Sequence, residues 1–190
     1  MKLNPIVAHL RATCPSFAER ISGGIDWDAV VESAKLALPA AYVIASADVA
    51  SPSKSSNVTV QDITDQFSVV IVLEPTDERG QDANDLLHEL RAELWRALVG
   101  WEPGPEYSPI EYAKGELLHI SRARVVYQFN FIAEFQLGRN SKADPPETWQ
   151  ERDLDGQPPL QGMDIKYDLI TGNGGPDGRI EFHTREDLPQ

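Results

Sequence analysis

From Arg124 to Leu137 the chain alternates without a break. Val125, Tyr127, Phe129, Phe131, Ala133, Phe135 and Leu137 are apolar, and Arg124, Val126, Gln128, Asn130, Ile132, Glu134 and Gln136 between them are mostly polar. Period-two patterning of this length predicts one β-strand with a buried aromatic face and a wetter opposite face. At about 3.3 Å per residue it would extend roughly 43 Å, far beyond the usual strand of about five or six residues. Such a strand must find sheet partners and a cover for its aromatic face, and the upstream chain reads as both.

Taken in order, Asn4 and Pro5 look like a helix start, with Asn as cap and Pro at the first helical position. Ile6, Val7 and Leu10 then form a short apolar stripe closed by Pro15. A second helix is predicted from Asp26 to Leu38, with Val30, Val31, Ala34 and Leu38 on one side and Pro39 ending it. Ala40–Ala45 has strand character, and Ser46–Asn57 reads as an exposed, mobile loop of Ser, Ala, Pro and Lys. Val58–Leu73 returns to strand language, and its Phe67–Leu73 portion is continuous enough for a central strand covered on both faces. Pro75 and Gly80 bracket a turn. Asp82 resembles an N-cap, and Ala83, Leu86, Leu87, Leu90, Leu94 and Leu98 mark residues 83–99 as an amphipathic helix stopped by Gly100. A Pro-rich loop (101–109), a strand over Ile110–Ile120 and a tight connection at Arg122–Arg124 lead into the long strand.

After Leu137 the composition changes. Seven glycines and six prolines among 53 residues make residues 138–190 loop or extension in character rather than a second core. Inside this stretch Met163, Ile165, Tyr167 and Leu169 alternate with polar residues, a Gly-rich run follows at 172–178, and Ile180 and Phe182 come next. That is a hairpin signal. No internal repeat is present. The expected fold is α+β: a mixed, largely antiparallel β-sheet packed by two or three helices, with a C-terminal β-hairpin arm. Residues 1–138 are expected to form the α/β domain, and 139–190 a Pro/Gly-rich extension carrying a hairpin at 163–184.

At 190 residues, with 41% apolar and 25% charged residues, the chain can bury a proper core. Its net charge of −13 argues against a surface that grips DNA phosphates or an anionic membrane leaflet. One cysteine, Cys14, allows no intramolecular disulfide. No run approaches the roughly 18 apolar residues that a membrane helix needs.

The chemical candidates are weak. Gly172–Gly178 breaks GxGxxG spacing, with Asp177 where a glycine is needed, and no helix follows to hold a phosphate. His9, His88, His119 and His183 are dispersed and form no metal-ligand pair. Asp26/Asp28 and Asp153/Asp155 are paired acids, yet neither pair continues into a calcium loop. Cys14 with His9 is better read as a buried thiol near a surface histidine than as a nucleophile pair. The strand aromatics could stack bases, but Arg124 is the sole cation on the interleaved face, which favours a core role. No catalytic, cofactor-binding or metal residue is assigned, and no cofactor.

A resemblance then emerges across three stretches. Leu94-Trp-Arg-Ala-Leu-Val-Gly-Trp-Glu-Pro closes the main helix, Pro109-Ile-Glu-Tyr-Ala-Lys-Gly-Glu-Leu enters a strand, and Val126-Tyr-Gln-Phe-Asn-Phe runs down the long one. Together with the first helix, Pro39-Ala-Ala-Tyr-Val and the Ser-rich loop, these resemble tail terminator proteins of long-tailed bacteriophages, a tail-completion family, over roughly residues 1–138. The resemblance implies a structural, non-enzymatic virion protein of a phage or prophage, sited in the tail or neck and assembled in the host cytoplasm. It implies a hexameric ring that caps the tail tube protein, ends polymerisation and offers a surface to the head-tail connector or stopper protein. DNA would pass through the lumen without specific binding, and no membrane is involved. The alternatives are another neck, connector or tail-tube subunit, or an enzyme of unrecognised type.

Overall fold

The structure is a computed structural model describing residues 1–24, 37–74, 81–121, 124–158, 161–168, 178–180 and 182–188. In chain order its elements are helix α1 (Leu3–Thr13), a 3₁₀ turn (Pro15–Phe17), β1 (Ile21–Gly23), β2 (Ala40–Ala50), β3 (Gln61–Leu73), helix α2 (Gln81–Leu98), β4 (Glu111–Ile120), β5 (Val125–Leu137), helix α3 (Trp149–Asp155), β6 (Gly162–Tyr167) and β7 (Phe182–Asp187). They divide into two compact units, Met1–Thr148 and Trp149–Gln190.

In the first unit the long alternation becomes β5, and its length follows from its position. β5 lies between β3 and β4 in a five-stranded sheet of order β1-β2-β3-β5-β4. β3 matches it residue for residue from Gln61↔Leu137 to Leu73↔Val125. The sheet is antiparallel apart from the parallel β1–β2 pair. Phe129 and Phe131 of β5 share a core with Phe67, Val69, Ile71 and Leu73 of β3, with Leu90, Leu94 and Leu98 of α2, and with Ile6 and Leu10 of α1. The Phe67 and Phe131 rings stack at 5.5 Å. The opposite face is not uniformly wet. Val70, Val72 and Val126 are buried there, packed by Leu38, Tyr42 and Ile44. Farther along that face the polar residues satisfy one another: Ser68 donates to Asn130 Oδ1 (2.7 Å), and Gln128 donates to Ser68 Oγ (2.8 Å).

The helices follow their patterns except at their starts. α1 begins at Leu3, with Lys2 in the cap position and no side-chain cap bond, so Asn4 sits inside the first turn and does not cap. That end is tied down differently, by the Met1 ammonium donating to Asp65 Oδ2 at 2.6 Å. α2 begins at Gln81, which places Asp82 in the first turn rather than at the cap, still near the positive helix end. Gly100 ends α2 with φ +88°, a conformation that costs glycine nothing.

The loop expected over Ser46–Asn57 is shorter than its composition suggests. Residues 46–50 continue β2 past an irregularity between Ala45 and Ala47, because β3 still runs alongside and supplies partners as far as Ala50↔Ile63. β3 correspondingly starts at Gln61 rather than Val58. The helix expected over Asp26–Leu38 falls almost wholly on residues 25–36, outside the described residues; Leu38 itself lies in a bend before β2. The Pro75–Gly80 turn, Arg122 of the connection into β5, and residues 172–177 of the Gly-rich run also lie outside them.

Within the second unit, β6 and β7 form the expected hairpin, paired from Gly162↔Asp187 to Tyr167↔Phe182. This register puts Met163, Ile165, Tyr167, Phe182, Thr184 and Glu186 on one face and Asp164, Lys166, His183, Arg185 and Asp187 on the other. In the second set His183 Nε2 lies 3.3 Å from Asp164 Oδ1, and Arg185 Nε donates to Asp187 at 2.8 Å. α3 was not legible among the prolines and glycines around it. The chain is therefore α+β: a mixed, largely antiparallel sheet with helices, and a hairpin near its C-terminus.

Candidate assembly surface

The four histidines fall on α1, α2, β4 and β7. His9 Nε2 donates to the Ala97 carbonyl (2.9 Å), and its ring stacks on Trp101 with centroids 4.0 Å apart. His9 is thus engaged in packing α1 against the end of α2. Cys14 is fully buried, and burial pushes its thiol up to about 11, which leaves no thiolate at neutral pH. Asp153 and Asp155 end the short helix α3, and Asp26 and Asp28 lie outside the described residues. Gly178, at the edge of the Gly-rich run, donates its N–H to Asp168 at 2.8 Å. Phe129 and Phe131 are buried core, so no base can reach them. Among the described residues no three His, Cys, Asp or Glu side chains converge as a metal site would require.

One buried polar cluster sits by the start of the chain. Asp65 accepts from both the Met1 ammonium (2.6 Å) and the Tyr107 hydroxyl (2.7 Å). Burial, then the hydrogen bond and charge of Asp65, raise the Tyr107 hydroxyl far above its ordinary range. This joins the loop before β4 to β3 and to the start of α1, and it is fully paired.

The open chemistry lies at the sheet edge. β4 is the outer strand beyond β5, exposed along nearly all its length. Its register with β5 pairs Tyr112 with Phe131, Gly115 with Phe129, Leu117 with Tyr127 and Ile120 with Val125, so these four β4 residues point to the helix side of the sheet. Yet α2 does not reach over Leu117 and Ile120, which remain 50% and 63% exposed. Leu118, at a register shift, adds a third exposed apolar side chain. Unpaired edges with apolar residues are unusual on a surface that stays bare.

A cavity of 240 Å³ opens between α2 and β5, lined by Asn84, Leu87, His88, Arg91, Tyr127 and Phe129. Arg91 is held in place: its Nη2 donates to His88 Nδ1 (2.7 Å), and its guanidinium lies 4.8 Å from the Trp95 ring centroid. Its Nε is buried and has no hydrogen-bond partner. Trp95 in turn meets Tyr112 edge-on at 5.2 Å. Burial raises the Tyr112 hydroxyl, as does neighbouring Tyr127, while Arg91 lowers it. Both tyrosines cross Gly115: a Cβ there would sit 2.7 Å from the Tyr112 hydroxyl and 2.9 Å from the Tyr127 ring. The result is a shallow groove of mixed polar and apolar lining, edged by a cation, near a strand that has no second strand partner among the described residues, suited to binding another polypeptide rather than a small molecule.

Comparison with known proteins fits an assembly role. The sequence model of the phage tail terminator protein family matches residues 1–142, from the first helix through the end of β5. The chain belongs to that family. It is accordingly a structural phage-tail protein and a component of a virion, working in company with other virion proteins. The match stops short of β6 and β7, so the hairpin lies beyond the family's shared part. A chain from the virion of a native gene transfer agent (GTA) particle is similar over 69% of this chain and 91% of its own, at 11% identity and a TM-score of 0.43. The comparison with curated proteins gives no match. Among the described residues no helix is long and apolar enough to cross a membrane.

Sequence reasoning missed both Arg91 and the bareness of Leu117, Leu118 and Ile120. The available signal was β4 itself, where Lys114, Gly115 and Glu116 interrupt the apolar residues as edge strands often do.

Proposed function

We propose that this protein closes into a hexameric ring on the last ring of tail tube protein, ends tube polymerisation and offers its other side to the head-tail connector or stopper protein. The observation that carries this reading is the family match across residues 1–142. Ring closure needs one patch on each subunit to meet a different patch on the next, and the exposed β4 edge is available as one of them. A net charge of −13 suits a lumen through which DNA slides without binding. Residues 1–138 are the ring-forming domain and 139–190 an arm. Assembly takes place in the cytoplasm of the host, from a phage or prophage gene, with no catalytic step.

Electron microscopy of tails made without this protein tests the proposal. Tubes of irregular length that fail to join heads are expected, because nothing blocks the growing end. Tails of normal length joined to heads would refute it.

A further inference from the structure

Two bare surfaces on this chain are complementary. On the hairpin, polar contacts among Asp164, His183, Arg185 and Asp187 occupy one face, while the other leaves Met163 and Phe182 54% and 63% exposed. An isolated two-stranded hairpin is marginal in water and gains most from a surface that covers its apolar side. On the sheet, β4 has no second strand partner among the described residues and carries Leu117, Gly115 and Tyr112 on the helix side, with Arg91 against Trp95, which meets Tyr112 edge-on.

The two rows match in order, and in length once Ala113, at the irregularity between Tyr112 and Lys114, is left unpaired. If β7 runs antiparallel along β4, then Phe182, Thr184 and Glu186 face Leu117, Gly115 and Tyr112 in turn. Phe182 then covers the exposed leucine. Thr184 lies over the position where Gly115 contributes no side chain. Glu186, which makes no ion pair among the described residues, comes to the side where Arg91 has an unpartnered buried Nε. On the other face this register sets His183 opposite Glu116, but Arg185 opposite Lys114 and Asp187 opposite Glu111, so that face works against the pairing and the helix-side contacts must outweigh it.

We propose that β7 of one copy of this chain adds as a sixth strand to the β4 edge of a second copy, with Phe182 on Leu117 and Glu186 on Arg91. The hairpin thereby becomes a clasp between neighbouring subunits. This goes beyond the capping reading, since it requires only that two copies meet and not that they sit on a tube.

The test uses the full-length chain with Cys14→Ala, which removes the one native thiol. Protein carrying Leu117→Cys is mixed with protein carrying Phe182→Cys under mild oxidation, after circular dichroism and thermal melting show that both remain folded. A disulfide-linked dimer joined through positions 117 and 182 is expected, identified by peptide mass spectrometry. Val49→Cys, at a position 55% exposed on β2, mixed with the same partner should give far less. Adding Arg91→Glu to the Leu117→Cys protein should lower the yield about tenfold, and adding Glu186→Arg to its partner should restore it. Equal yields at Val49 and Leu117, or no dimer, would overturn the proposal. So would insensitivity to Arg91→Glu, or a variant bearing both cysteines that closes only within its own chain. Tails of normal length made without the protein would refute capping and leave this result standing, so the two can fail separately.

Discussion

Phe129 lies fully buried with the Tyr127 ring 4.8 Å away, in the core that α2 closes. Truncating it removes a large apolar side chain from a site walled by sheet and helix. Phe129→Ala should cost about 3–5 kcal/mol in urea denaturation, the range for a buried aromatic. A loss below about 1 kcal/mol would mean that the neighbouring rings collapse into the gap. Cys14 makes a second residue-level prediction. Burial raises its pKa in the folded protein to about 11, above the ordinary thiol value of 9.0. A raised value means that this group's contribution is complete below pH 9 and is lost as pH climbs from 9 towards 11, where the unfolded chain releases its proton first. Native protein at pH 8 should therefore react with a thiol reagent many times more slowly than protein in urea, and Cys14→Ala should lessen the alkaline loss of stability. Equal rates in the two states would place the thiol at the surface.

Among the elements, β2 and its following loop divide where the partner strand ends. Amides of residues 67–73, buried in the centre of the sheet, should exchange with deuterium slowest. Those of 47–50, paired with β3, should be intermediate, and those of 54–57 fastest. Exchange at 54–57 as slow as at 67–73 would refute this order. The same boundary shows what the sequence could reveal. β5 was legible because its inward face is buried or half-buried from Val125 to Leu137, so an apolar residue stands at every second position. α2 was legible because Leu90, Leu94 and Leu98 repeat on one buried stripe. Residues 46–50 were not, since Val49 alone among them favours a strand, and the conformation of Ser46, Ala47, Asp48 and Ala50 is imposed by β3 lying beside them. The far-side cluster of Val70, Val72 and Val126 was half visible, in the continuous run Phe67–Leu73. The assembly surface was hardest to read. Exposed leucines on β4 look like core residues until the reach of α2 is known, and Arg91 gains its interest only from Tyr112 and Trp95, which come together in space alone.

For the whole molecule, the division into Met1–Thr148 and Trp149–Gln190 gives a direct prediction. The first unit holds the buried core, and its tail after β5 folds back, with Glu147 accepting from the Gly138 N–H at 2.8 Å. Deleting residues 149–190 should leave a domain that still melts cooperatively, while self-association and attachment to tube ends weaken. Loss of cooperative melting would show that the second unit completes the core.

The unbroken match of β3 and β5 over thirteen residue pairs has a mechanical meaning. Tension along these strands is shared by the whole row of cross-links at once, whereas tension across them would undo the row one link after another. A subunit stretched along its central strands behaves as a strap rather than a zipper, and it is stiffest in the one direction its longest strand defines.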